Sequence, residues 1–170
     1  LLFVEQLLNG LQLGIMLFLM SAGLTLVFGI MQVINLAHGS FYMIGAYVGA
    51  TVAASTGSFL LGLLAALPAA ALAGMLVEML VLRRLYSRDH LDQVLATFGL
   101  IMFFNELTRI LWGRQPLFMD VPRWLSGSIE LIPGVPYPSY RLAVIAVGIL
   151  VAVLLYLLFT RTRIGMQIRA

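Results

Sequence analysis

The stretch QVINLAHGSFYMIGAYVG, residues 32–49, interrupts an otherwise apolar chain with groups that form hydrogen bonds. Four residues carry the interruption: Asn35, His38, Gly39 and Ser40. Irregular polar backbone is tolerated at membrane depth only where it is buried in protein or lines a wet cavity. The pattern therefore predicts a broken or re-entrant element near residues 32–41, and a transport protein with this element in its pathway.

The composition around this stretch is that of a membrane protein. The chain is 62% hydrophobic and 10% charged, with a mean hydropathy of +1.04, whereas a soluble domain carries roughly 25% charged residues. About 20 apolar residues span the ~30 Å hydrocarbon core. We predict an all-α, polytopic transmembrane helical bundle that forms one transmembrane domain over residues 1–170. Its membrane segments are about five, at residues 7–31, 41–54, 59–82, 91–112 and 142–159.

Small residues recur every four positions in three of these segments, which places them on one face of each helix. The stripes are Ser21, Thr25 and Gly29, then Gly45, Gly49 and Ala53, then Gly62, Ala66, Ala70 and Gly74. Membrane helices approach closely through such faces. We expect these stripes to be helix contacts.

The basic residues indicate the orientation. All ten are Arg; six lie within the nineteen residues of 83–90 and 160–170, and three lie within the twenty-nine residues of 113–141. Short loops rich in Arg stay in the cytoplasm, so we expect the long connection 113–140 and the N-terminus to face outward. The net charge of +3 comes from ten Arg and no Lys, so nucleic-acid binding is not implied.

Two interpretations of the interruption are open. Asn35, His38 and Ser40 either line the path of a solute, or they satisfy backbone groups at the ends of the flanking helices. A free helix N-terminus at this point would present partial positive charge to an anionic or zwitterionic solute. Gly39 is expected to provide backbone freedom.

Other polar residues in the segments have simpler interpretations. Glu78 continues the register of the third segment's stripe and is expected to pair with a nearby Arg on the cytoplasmic side. Glu106 and Arg109 are three apart and can pair. Asn105 is expected to form hydrogen bonds between helices, and both Asn105 and Glu78 are possible further lining of the pathway.

The sequence lacks the residues that several classes of chemistry require. It contains no Cys and no Lys, hence no thiolate site and no phosphate-binding Gly-Lys-[Ser/Thr] loop. It also lacks the Gly-x-Ser-x-Gly and His-Glu-x-x-His motifs. We therefore expect no catalytic residue, no metal site and no cofactor on this chain, and no enzyme activity. A passive facilitator that uses the re-entrant element as a selectivity filter remains an alternative.

A family resemblance lies in the same stretch. The run GLTLVFGIMQVINLAHGSFYMIGAYVGA, residues 23–50, resembles the N-terminal signature of permease subunits of bacterial branched-chain amino acid ABC transporters. The matching residues are Ile34, Asn35, Leu36, Ala37, His38 and Gly39, then Met43, Ile44, Gly45, Ala46 and Tyr47. Weaker matches are Phe98-Gly99-Leu100 with Asn105, and the run RTRIGM with Arg-Ala at residues 161–170.

The resemblance also implies partner proteins and a location in the cell, which the residues alone do not. It implies one half of a membrane pore in the bacterial inner membrane, with a second permease subunit, two cytoplasmic ATPase subunits that bind ATP and Mg, and a periplasmic solute-binding protein. It also implies that the chain is the N-terminal part of a longer subunit. Importers of urea and short amides share the signature, so the solute stays open between these and branched-chain amino acids.

Overall fold

The structure, a computed structural model, describes residues 2–31, 33–132 and 135–161, and these residues are mostly helical. The elements in chain order are α1 (Leu2–Met31), α2 (His38–Thr56), α3 (Phe59–Val77), a π-helical segment (Glu78–Leu82), α4 (Arg83–Leu85), α5 (His90–Trp112), β1 (Ser128–Ile132), β2 (Val135–Pro138) and α6 (Ser139–Arg161).

Four helical stretches are long and apolar enough to cross a membrane. They are Leu2–Gly29, Phe59–Leu85, His90–Trp112 and Ser139–Arg161. The prediction of a polytopic helical membrane protein is therefore confirmed. Among the described residues α2 is not one of the four, because its Gly, Ser and Thr residues lower its hydropathy; the prediction of about five segments counted it as a span.

The contacts within the chain divide it into two units, which we describe separately. The first contains Leu1–Ile30 and Val121–Ala170, and the second contains Met31–Asp120. That residues 1–170 act as one transmembrane domain stays a prediction.

In the second unit, α2 and α3 form a tightly packed antiparallel pair through their small-residue stripes. The pair turns at Gly57, whose φ of 67° is in the left-handed region that favours glycine. A Cβ atom added to Gly49 would lie 3.0 Å from the carbonyl oxygen of Gly62, and one added to Gly45 would lie 3.1 Å from that of Ala66. The backbones are thus nearly in contact, as the stripes predict.

The core of this unit lies where α3, α5 and the residues before α2 meet. Its buried side chains are Val33, Val77, Leu82 and Phe104. The ring of Phe41, from α2, packs edge-on against Phe104 at 6.1 Å between ring centroids. The interruption is therefore anchored through Val33 in the same core that joins α3 to α5.

In the first unit, polar side chains link α1 to the segment that leads into α6. Asn9 accepts hydrogen bonds through Oδ1 from the Tyr137 hydroxyl and from the guanidinium of Arg141. Tyr137 is almost fully buried. Farther along the helices, Gly148 of α6 packs against the side chain of Ile15.

The connection before α6 contains a β-hairpin that the all-α prediction did not include. β1 and β2 pair antiparallel, with Ile129 opposite Tyr137 and Glu130 opposite Pro136. The proline-rich sequence concealed β2, but a two-stranded sheet consists of edges only, and proline is tolerated on edge strands. The hydroxyl of Ser139 donates to the carbonyl oxygens of Leu125 and Gly127 and ties the hairpin to the start of α6.

Candidate functional site

The interruption is shorter than the predicted range of 32–41. Residues 33–37 are not helical, and α2 already begins at His38; Gln32 lies outside the described residues. The Oδ1 atom of Asn35 accepts from the backbone N–H of Ala37 at 3.0 Å, and its carbonyl oxygen accepts from the N–H of His38 at 3.3 Å. A local turn thus leads straight into α2. We call residues 33–37 the break.

Asn35 serves this turn rather than the end of the first helix. Its side chain is 2% exposed, and the hydrogen bond to Ala37 satisfies a donor at the entry to α2. The capping interpretation for His38 and Ser40 finds no support in the geometry, because the N-cap residue of α2 is Ala37 and no side-chain hydrogen bond caps this helix. The amide of Ser40 instead donates to the Ala37 carbonyl oxygen at 2.9 Å.

His38 lies at the first position of α2. Its ring is half-buried and edge-on to Phe41, with 6.4 Å between the ring centroids. The packing against Phe41 orients the imidazole within the second unit. Contact between His38 and a solute stays a prediction.

A cavity of about 210 Å³ lies beside the break, between the first turns of α2 and the middle of α5. Its lining is Leu36, Gly39, Ser40, Met43, Ile101 and Asn105. Among the described residues, no hydrogen bond is formed by the hydroxyl of Ser40 or by the side-chain amide of Asn105. The structure therefore brings three of the predicted pathway residues, Gly39, Ser40 and Asn105, to one cavity that has apolar walls and two polar groups.

Glu78 lies apart from this cavity, in the π-helical segment. Its Oε1 atom accepts from the Tyr86 hydroxyl at 2.9 Å and lies 3.5 Å from Nε of Arg83, which confirms the predicted pairing with a nearby Arg. Burial, together with the hydrogen bond to Glu78, raises the pKa of Tyr86 above its ordinary value, so the phenol stays a donor at neutral pH. The predicted pair of Glu106 and Arg109 is also present, at 2.8 Å.

Gln93, near the start of α5, is a further polar residue that was not predicted to have a role. Its side chain is 2% exposed and forms three hydrogen bonds, one of them to the backbone of the break. Thr97, one turn later, is fully buried, and its hydroxyl donates to the Gln93 carbonyl oxygen at 2.8 Å. Two polar residues four apart in an apolar helix were the available signal for a buried polar face.

A second cavity, of about 410 Å³, lies in the first unit between α1 and α6. Its lining is mostly apolar: Phe18, Ser21, Ala22, Thr25, Ala152, Leu155, Tyr156 and Phe159. The Thr25 hydroxyl already donates to the carbonyl oxygen of Ser21 at 2.8 Å. Within the described ranges, His, Asp and Glu residues form no cluster of three or more that could hold a metal ion.

The family match and the similar proteins described below point to the same family of proteins. A family described as "Branched-chain amino acid transport system / permease component" matches residues 6–170. The high-affinity branched-chain amino acid transport system permease protein BraD of Pseudomonas aeruginosa is 29% identical over 181 residues, which cover 99% of this chain and 58% of BraD. The permease proteins LivH of Salmonella typhimurium and Escherichia coli K12 are 29% and 28% identical over 140 residues, 75% of this chain and 46% of each relative.

The chain thus spans about half the length of these curated relatives. No solved structure matches it significantly. The weaker motif at residues 161–170 falls almost entirely outside the described residues, and so does the Pro133-Gly134 dipeptide between β1 and β2.

Proposed function

The chain belongs to the family of permease components of branched-chain amino acid transport systems, and on that premise we propose that it forms part of the membrane pathway of an ATP-driven importer of branched-chain or related small amino acids. The relatives are named as high-affinity permease proteins for branched-chain amino acids. Because the chain spans about half their length, the proposal assigns uptake to the whole protein and a share of the path to these residues.

The cavity beside the break is the observation that carries the proposal. A polar group without a partner is costly in the membrane interior, so the hydroxyl of Ser40, a residue that is 6% exposed, needs water or a solute there. The amide of Asn105, which is exposed on the same cavity, is available to the same molecule. Leu36, Met43 and Ile101 supply an apolar wall on the same cavity. Binding sites for small molecules combine mostly apolar walls with a few polar groups that fix orientation. An aliphatic amino acid presents both kinds of surface.

The start of α2 would favour a negatively charged group of the solute in the cavity. Gly39 and Ser40 are in its first turn and line the cavity. The first N–H groups of a helix lack partners within the helix, and its dipole makes this end partly positive. The N–H groups of His38 and Ser40 already donate to the carbonyl oxygens of Asn35 and Ala37, so a carboxylate in the cavity would be attracted by the positive end of the helix dipole. We infer that the solute's carboxylate faces the first turn of α2, at Gly39 and Ser40, and that its aliphatic side chain faces Met43, one turn farther along α2, and Ile101 of α5.

We assign the energy for transport and the delivery of the solute to partner proteins. The chain has no Lys and hence no phosphate-binding loop, so the proposed complex contains two cytoplasmic ATPase subunits that bind ATP and Mg. A second permease subunit would complete the pore, and a periplasmic solute-binding protein would deliver the amino acid across the bacterial inner membrane. The permease does no covalent chemistry in this scheme.

Uptake by the full-length permease with its partners tests the proposal. Ser40→Ala and Asn105→Ala each remove a hydrogen bond to a charged solute, which contributes about 1.5–3 kcal/mol. We expect the KM for leucine uptake to rise about 10- to 100-fold in each variant. Ser55→Ala is the matched control, because Ser55 is exposed at the other end of α2.

Wild-type kinetics in both cavity variants, at equal amounts of protein in the membrane, would refute the assignment of the cavity. Two further arms address the alternatives. Uptake of labelled urea in preference to leucine would place the chain among the short-amide importers. Uptake that persists without ATP would identify a passive facilitator.

A further inference from the structure

The buried side chain of Gln93 connects three segments of the second unit. Its Oε1 atom accepts from the backbone N–H of Ile34, in the break, at 3.2 Å. Its Nε2 atom donates to the carbonyl oxygen of Leu85 at 3.2 Å and to that of Arg88 at 3.3 Å. The orientation of the amide follows from its partners, because Ile34 offers a donor and the other two offer only acceptors.

Gln93 is itself fixed by the start of α5. Asp89 caps this helix by accepting from the N–H of His90 at 2.8 Å, and the N–H of Gln93 donates to the Asp89 carbonyl oxygen at 3.2 Å. The side chain therefore extends from a rigid helical turn. It reaches the break on one side and, on the other, the end of α4 and the turn that follows it, residues 85–89. We call residues 85–89 the arginine turn, because this segment contains Arg88 and directly follows Arg83 and Arg84.

Few other interactions hold the break. Among the described residues, the Gln93 oxygen is the only side-chain acceptor outside the break that bonds to its backbone. The Asn35 side chain bonds to Ala37 within the break, and the carbonyl oxygens of Asn35 and Ala37 accept from the first turn of α2. Val33 anchors the break through apolar packing, which is not directional. Loss of Gln93 would leave the Ile34 N–H without its partner. The break would then lose its hydrogen bond to α5 and could shift relative to that helix.

We propose that Gln93 is a positioning residue that locks the break to the arginine turn and thereby sets the shape of the cavity beside Ser40. The inference rests on the proposed function for its meaning in transport. A displacement of the arginine turn, on the side predicted to face the cytoplasm, would reach the break through this one side chain. Movement driven from the cytoplasmic side would in this way alter the solute cavity.

Thiol labelling tests the lock without any measurement of uptake, since these 170 residues contain no Cys. Ser40→Cys places a thiol of nearly the same size as the hydroxyl on the lining of the cavity, at a residue that is 6% exposed. Its reaction with a water-soluble methanethiosulfonate is followed in the detergent-solubilised full-length complex, with any Cys outside these residues replaced by Ser. Gln93→Met removes all three hydrogen bonds at nearly constant volume. We expect it to raise the labelling rate about tenfold, the factor by which one buried hydrogen bond shifts an opening equilibrium.

The control variants separate positioning from general loosening. Gln115→Met makes the same change at an exposed residue after α5 and should leave the labelling rate unchanged. A thiol at Ser55→Cys, at the far end of α2, should label at the same rate with or without Gln93→Met. An equal increase at this distant thiol, or no increase at the Ser40→Cys thiol, would overturn the proposal.

A second variant covers the case in which Gln93→Met does not assemble. Gln93→Glu keeps an acceptor for the Ile34 N–H but, as a carboxylate, cannot donate to Leu85 or Arg88. We expect faster tryptic cleavage after Arg88 in this variant, with a smaller increase in labelling at Ser40→Cys. Cleavage at the wild-type rate would contradict the lock. If instead the lock holds and uptake is indifferent to Ser40→Ala and Asn105→Ala, the proposed function fails while the positioning role stands.

Discussion

The substitution Gly62→Ala tests the close backbone contact between α2 and α3. A Cβ atom added to Gly62 would lie 2.6 Å from the carbonyl oxygen of Gly49 and 2.8 Å from the Cβ of Ala53. The first of these atoms belongs to the backbone of α2 and cannot rotate away. The new methyl group is accommodated only if α2 and α3 move apart.

The size of the movement sets the expected effect. Ordinary contact begins at 3.4 Å, so the helices must separate by about 0.8 Å at this point. A gap of that size forfeits about a quarter to a half of the dispersion energy of the atoms along the contact, and overpacking of this kind costs about 1–3 kcal/mol. Alanine's better helix propensity offsets about 0.5–1 kcal/mol. We expect a net loss of about 1–2 kcal/mol.

The other glycines of the pair provide a graded series. At Gly49 the nearest atom would be 3.0 Å away, and at Gly45 it would be 3.1 Å away, so alanine should be less harmful there than at Gly62. Gly74 belongs to the same stripe by its spacing, but its nearest neighbour is the ring of Phe41 at 3.9 Å. Gly99, in α5, has no atom within 4 Å and is the matched control.

The assay is the thermal midpoint of the full-length permease in detergent, followed by size-exclusion chromatography with fluorescence detection. At about 2–4 °C per kcal/mol, Gly62→Ala should lower the midpoint by about 2–8 °C. Gly74→Ala and Gly99→Ala should leave it unchanged or raise it. If Gly74→Ala destabilises the protein as much as Gly62→Ala, the distance between backbones does not explain the stripe, and the reasoning is refuted.

Two further predictions concern side chains that join separate segments. Asn9→Leu leaves the hydroxyl of buried Tyr137 and the guanidinium of Arg141 without their shared acceptor, and should cost about 1–3 kcal/mol; a thermal midpoint equal to that of the wild type would contradict this. The indole N–H of Trp112 donates to the Thr51 hydroxyl at 2.7 Å, so Trp112→Phe and Thr51→Val should each cost about 0.5–1.5 kcal/mol, and the double variant should lose no more than either alone. Additive losses would show that the pair does not interact.

The sequence was sufficient for features that depend on spacing along one helix. The four-residue period of Gly45 and Gly49 predicted a close contact face, and the structure places that face against Gly62. The pairing of Glu106 with Arg109 followed from a separation of three residues. In each case neighbouring turns of a single helix determine which side chains share a face.

Features that depend on packing between segments were not predictable in the same way. The partner of Glu78 could be assigned only as a nearby Arg, and the π-helical segment that carries Glu78 has no clear signal in the sequence. The role of Gln93 could not be predicted, because its three partners lie on segments brought together by the fold. The hairpin that contains Tyr137 was hidden by prolines that an edge strand tolerates.

The packing between segments also changes which polar residues we propose to contact the solute. A non-helical backbone within a membrane must first satisfy its own N–H and C=O groups, and Asn35 is used for that purpose at Ala37 while Gln93 serves Ile34. The side-chain groups that remain available to a solute are those that form no hydrogen bond with the backbone. Ser40 and Asn105 meet this condition on the cavity, so we assign hydrogen bonding of the solute to them and shaping of the path to Asn35. The division is testable within one experiment, since Asn35→Ala should lower the thermal midpoint whereas Ser40→Ala should alter KM alone.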